Sequence, residues 1–116
     1  MTDLIYKICP RPLWEAASAQ GVFKGAGIDL ADGFIHFSTA DQVAATAHLH
    51  FNGVQDLVLV AVKTSGLDVV WEESRGGQSF PHLYHDLDLD FVVAVTPMPL
   101  DDDGNHIFPA EITPLS

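Results

Sequence analysis

Residues 57–62 read LVLVAV, six apolar side chains in a row, three of them valine. Successive side chains of a strand point to opposite sides, so a run with no polar alternate has two hydrocarbon faces, and both must be covered. Such a segment demands a central strand of a sheet. The chain has 116 residues, the size of one domain with one core, and 47% of them are apolar. Residues 1–116 are therefore read as a single domain.

The other elements follow from local chemistry. LIYKIC (4–9) favours a strand and is stopped by Pro10, which lacks a backbone donor. Pro12 suits a first helical turn, and Leu13, Trp14 and Ala17 recur at helical spacing until Gly21, which predicts a helix over 12–20. Gly21, Gly25 and Gly33 around Lys24 mark 21–32 as a connecting loop with no phosphate-binding consensus. GFIHFS is a second strand. Thr39 followed by Gln42 is a capping-box pattern, and a helix is expected over about 40–51. LDVVWE is a fourth strand, SRGGQ a loop, and SFPHLYHDL irregular or strand-like because Pro81 excludes a helix interior. FVVAV reads as another buried strand and HIFPAEI as an edge strand. Five to seven strands with two helices make an α+β domain.

Sixteen acidic against five basic residues give a formal charge of −11, which repels phosphate backbones and anionic lipid. Nucleic acid and membrane are not expected partners; a small-molecule ligand is. Asp86, Asp88 and Asp90, and Asp101 to Asp103, read as solvated turns without the glycine-centred spacing of a calcium loop. Cys9 is the single cysteine, so no internal disulfide forms. With neither a signal-like start nor an apolar run near the roughly 20 residues of a membrane span, a cytoplasmic protein is expected. The sequence leaves the oligomeric state open.

Six histidines is a high count, but no CxxC or HExxH is present, and His48 and His50 are two apart on a helix and diverge. No metal is expected, although His36, His82 and an acid assembled in space are what a metal-dependent hydrolase would use. His36 has two readings, a hydrogen-bonded core histidine or a ligand contact. Period two puts it on one side with Phe34 and Ser38, and its strand runs into the helix start at Thr39. The segment 71–87 gathers Trp71, Glu72, Glu73, Arg75, His82 and Tyr84 about a glycine pair. They are either a surface ion pair with packing residues or the contacts of a small polar ligand with a flat ring. Arg75 and Lys24, each beside glycine, are the bases placed to meet a ligand's negative charge. The site expected is one hollow shared by His36 and the segment from Trp71 to Tyr84.

The combination of GFIHFST, DLVLVAV, WEES and FPHLYHDL is similar to the bacterial and plant family known as domain of unknown function 952, over nearly the whole chain. The resemblance implies an ADP-ribosyltransferase-like fold: a split, twisted, mainly antiparallel sheet with a cleft for a nicotinamide dinucleotide. It implies NAD or a related ADP-ribose compound as ligand, with ADP-ribosyl or glycosyl transfer as the reaction. His36-Phe37-Ser38 resembles a His-Gly-Ser/Thr element whose histidine holds a ribose hydroxyl, with Phe37 in place of the glycine. By the same resemblance His36, Ser38, Thr39, Arg75, His82 and Tyr84 would bind the cofactor, Tyr84 as a ring stacked on nicotinamide. The carboxylate would come from Glu72 or Glu73, with Glu111 later in the chain. The alternatives are a non-catalytic module that binds a metabolite or a partner and, second, the metal-dependent hydrolase.

Overall fold

A computed structural model of the chain describes residues 3–73 and 77–112. The run LVLVAV lies in strand β4 (Leu57–Lys63), between β1 (Leu4–Pro10) and β8 (Val92–Pro97), and both neighbours pair with it antiparallel. Alternation along β4 feeds two apolar clusters. Val58, Val60 and Val62 pack with Ile5, Cys9 and Trp14, whereas Leu57, Leu59 and Ala61 pack with Tyr6, Ile8 and Val43. Helix α1 (Arg11–Gln20) covers the first side through Trp14 and Ala17, with Trp14 against Phe23 at 5.6 Å between ring centroids. Helix α3 (Val43–His50) covers the second through Val43 and Ala47.

A second sheet places β6 (Ser79–Leu83) between β3 (Ile35–His36) and β5 (Val70–Glu73). It meets the first sheet at one bridge, where Tyr6 and Ser38 exchange backbone hydrogen bonds of 2.7 and 2.8 Å. Short strands β2 (Val22–Phe23) and β7 (Leu87–Asp88) pair beside them. The result is an α+β fold of antiparallel sheets. Among the described residues no helix is long and apolar enough to cross a membrane.

Four expectations need correction. The described residues contain three α-helices, not two: Ile28–Asp32, inside the expected loop, forms the short helix α2 between Gly27 and Gly33, whose φ values are +57° and +81°. Its single turn is too short for a periodic pattern, and Ile28 and Leu30 are exposed; only Asp29 is buried. The helix after Thr39 starts at Val43 rather than about 40, and residues 39–42 form a turn in which the Thr39 N–H donates to Gln42 Oε1 at 3.0 Å, half of the capping box. FVVAV is not buried. Among the described residues strand β8 pairs on one side only, and Val93 and Val95 are exposed; an apolar run cannot by itself distinguish a centre from an edge. HIFPAEI contributes only an isolated Leu100–His106 bridge.

Proline sits centrally in the small sheet, since Pro81 of β6 lies between Trp71 and the β3 side. It is tolerated because Pro81 needs only to accept there: its carbonyl takes the Phe37 N–H at 3.0 Å.

Candidate functional site

The β3–β6 register sets His36 directly opposite His82, and the β5–β6 register sets Val70 against the same His82. Paired residues of a sheet share a side, and so do residues two apart on one strand. One side of the small sheet therefore collects His36, Glu72 and His82, and the rings of Phe34 and Tyr84, just beyond the strand ends, lie against them. The Phe34 ring lies 4.5 Å from the His36 ring, 4.3 Å from His82 and 5.0 Å from Tyr84, centroid to centroid, and the two imidazoles are 5.4 Å apart.

Each imidazole is anchored through Nδ1 by a carboxylate. His36 Nδ1 is 2.6 Å from Asp29 Oδ1, which also accepts the His36 backbone N–H at 3.1 Å. The other oxygen of Asp29 accepts the Ala26 N–H at 3.0 Å and lies 2.7 Å from Lys7 Nζ. Burial of Asp29 pushes its pKa up, but the Lys7 charge and the donors from Lys7, Ala26 and His36 together outweigh this and leave it below the usual carboxylate value. On the solvent side, His36 Nε2 is 3.0 Å from Asp32 Oδ2. A neutral imidazole has one N–H and serves one of these carboxylates; the protonated ring serves both.

His82 is itself buried, and its Nδ1 is 2.7 Å from Glu72 Oε1. The Tyr84 hydroxyl donates to that same oxygen at 2.5 Å. The Tyr84 hydroxyl and then the His82 ring hold the Glu72 carboxyl below its ordinary pKa, and the same bond to Glu72, followed by burial, raises Tyr84. Glu72 thus stands ionised beside three aromatic or imidazole rings. Such a group stabilises developing positive charge on a ligand.

A hollow of about 170 Å³ adjoins the cluster, with Lys24, Asp29, Phe34, Tyr84 and Asp86 among its lining residues. A larger one, about 360 Å³, lies between α3 and the segment carrying Asn105, His106 and Phe108, away from the ring cluster. His106 Nε2 is committed there to the Val54 carbonyl at 2.8 Å. The smaller hollow is the candidate because Phe34 and Tyr84 belong both to it and to the ring cluster; His36, His82 and Glu72 do not line it, so the expected single hollow shared by His36 and the segment from Trp71 to Tyr84 is corrected to a hollow beside the cluster. Among the described residues, no three or more His, Cys, Asp or Glu side chains are grouped so as to hold a metal ion.

The structure brings His36, His82, Tyr84 and Glu72 together; it does not bring Ser38, Thr39 or Glu73 to them. Ser38 is buried and its hydroxyl is 3.1 Å from Thr46 Oγ1 on α3, because the chain leaves the small sheet at Phe37 and pairs with Tyr6 instead. Thr39 begins the turn into α3. Glu73 is exposed in register with Ser79 and alternates to the side opposite Glu72. Arg75 lies outside the described residues. Sequence reasoning missed Lys7, Asp29 and Asp32 as neighbours of His36. Lys7 had a signal: it alternates with Ile5 and Cys9 on a core side of β1, where an ammonium requires an acid.

Comparison with known proteins adds relatives without a stated activity. The sequence pattern of a family described as protein of unknown function (DUF952) matches residues 8–95. A crystal structure of protein CC0527 from Caulobacter crescentus is 49% identical, covering 90% of this chain and 93% of that one, with a TM-score of 0.85. The solution NMR structure of the same protein is 50% identical over 88% of this chain and 90% of that one, with a TM-score of 0.79. No curated protein matches the chain.

Proposed function

The chain belongs to the DUF952 family of proteins of unknown function, and from that premise and the side-chain geometry we propose that the His36–His82 face binds a compound of the NAD or ADP-ribose class. A flat base stacks on Phe34 and Tyr84, the ribose lies along His82 and His36, and the outer Nε2 edge of His36, with Lys24 at the adjoining hollow, meets the phosphate that follows the ribose. The observation that carries this reading is Glu72 Oε1, shared by His82 Nδ1 at 2.7 Å and the Tyr84 hydroxyl at 2.5 Å beside the Phe34 ring. An ionised carboxylate at an aromatic surface suits a ribosyl centre that gains positive charge as its glycosidic bond breaks. In that transfer the bond from the ribose anomeric carbon to the base breaks and a bond to an acceptor oxygen or nitrogen forms; the base leaves with the electron pair, and the proton of the acceptor is released.

Calorimetric titration with ADP-ribose tests the binding. His36→Ala is expected to weaken it at least tenfold, and undiminished binding removes His36 from the site. Incubation with NAD then tests the transfer: wild-type protein is expected to release nicotinamide, and Glu72→Gln to stop the release while still binding ADP-ribose.

One observation favours the non-catalytic reading. The hollow, at about 170 Å³, is smaller than the roughly 300 Å³ at which ordinary ligand pockets begin. It takes a fragment, leaving the rest of a dinucleotide on the open surface. Binding of ADP-ribose with no nicotinamide release from NAD would select this reading.

A further inference from the structure

We infer that Asp32 holds the place of a ligand's anionic oxygen at His36, so that the protonated ring, with its Nδ1–H on Asp29, meets the ligand through Nε2–H and selects a phosphate or carboxylate oxygen. The inference rests on the reading of this face as a site for an ADP-ribose-type compound, and it names the ligand atom that His36 takes.

The inner half of the His36 contact is closed. Asp29 has a fully buried side chain, and both its oxygens are engaged, by the His36 Nδ1 and N–H on one and by Ala26 N–H and Lys7 Nζ on the other. Turning the imidazole would leave that carboxylate short of a donor in a dry place, a cost a native site avoids. The ring is therefore fixed with Nδ1 inward and Nε2 outward.

The outer half is open to exchange. Nε2 is 3.0 Å from Asp32 Oδ2, and the two side chains keep 32% and 38% of their surface in contact with solvent. Ion pairs so exposed are weak, so a competing anion displaces Asp32 at small cost. Asp32 is also the last residue of α2, the end where backbone carbonyls already concentrate negative charge. An acid there gains nothing from the helix; its partner is His36. The neighbouring Phe34 ring, 4.5 Å from the imidazole, and Lys24 at the hollow extend the contact toward a base and a second phosphate oxygen.

The test uses protein labelled with ¹⁵N at histidine, with the His36 ring followed by long-range proton–nitrogen NMR while inorganic phosphate is added. Three proteins are compared: wild type, Asp32→Asn, and Asp102→Asn, which removes an equal charge from the loop before His106. Asp32→Asn is expected to respond at about fivefold lower phosphate than the other two. Asp32→Ser should behave the same way and guards against a local rearrangement of the amide. Equal phosphate dependence in all three proteins, or a response of the Asp102 variant as large as that of the Asp32 variants, overturns the inference. A parallel titration with ADP-ribose separates it from the function on which it rests: phosphate that moves His36 as stated, with ADP-ribose that does not, sustains the anion subsite and defeats the ADP-ribose reading.

Discussion

The ammonium of Lys7 lies 2.7 Å from the carboxylate of Asp29, with side-chain exposures of 9% and 0%. This pair joins the first strand of the large sheet to the short helix that buttresses His36, so the fold and the candidate site share one electrostatic clasp. Removing one partner leaves a buried charge unpaired. Lys7→Met is expected to destabilise the protein by about 3–5 kcal/mol, and the double variant Lys7→Met, Asp29→Asn to recover most of the loss. Urea denaturation of the three proteins checks this; a single variant as stable as the wild type would show that the clasp carries no weight.

The same clasp sets a pH dependence. Asp29 has a folded-state pKa below its ordinary value, since Lys7 and the hydrogen-bond donors outweigh the opposing effect of burial. A depressed acid binds fewer protons folded than unfolded, so its contribution is fully present above the unfolded value of about 3.9 and is lost as pH falls through the folded one. The stability advantage of wild type over Asp29→Asn is expected to hold from neutral pH to about 5 and to shrink below about 4. Denaturation midpoints measured across that range test the sign.

Tyr84 and Glu72 perturb each other reciprocally. The bond to Glu72, then burial, raises the Tyr84 phenol, while burial first and Glu111 second raise Tyr6. Ultraviolet titration of the phenolates should therefore find both tyrosines late. Glu72→Gln is expected to bring Tyr84 back toward about 10 and leave Tyr6 where it was. Unchanged titration of Tyr84 in that variant would mean that the hydroxyl and the carboxylate do not meet in solution.

Much of this arrangement is visible in the residues themselves, and the remainder is not for definite reasons. The β4 run is apolar on both sides, so its central place follows from alternation alone, and the α1 boundaries follow from Pro12 and Gly21. His36 and Tyr84 can be singled out by type and spacing. Their meeting depends on the register that sets His36 against His82, which joins strands more than forty residues apart, and no local pattern encodes it. Period two puts Ser38 beside His36 only on a continuous strand, whereas the chain passes from one sheet to the other between His36 and Ser38. Asp29 was hidden by its glycines, which signal a loop and say nothing of a single buried acid within it.

The two apolar runs, so alike as sequences, are expected to differ sharply under mutation. Val60 in β4 is 0% exposed, and Val95, its partner across the ladder in β8, is 42% exposed. Truncating Val60 to Ala removes two methyl groups from a packed interior and leaves space that neighbours on both sides cannot refill, a loss of about 2–3 kcal/mol. Val95→Thr replaces a methyl by a hydroxyl that water can reach, and the edge backbone of β8 still pairs with β4, so a change within about 0.5 kcal/mol is expected. Chemical denaturation of the two variants decides it. Equal losses at the two positions would mean that β8 is covered in solution, by a further segment or a second copy, and that its outer edge is not free.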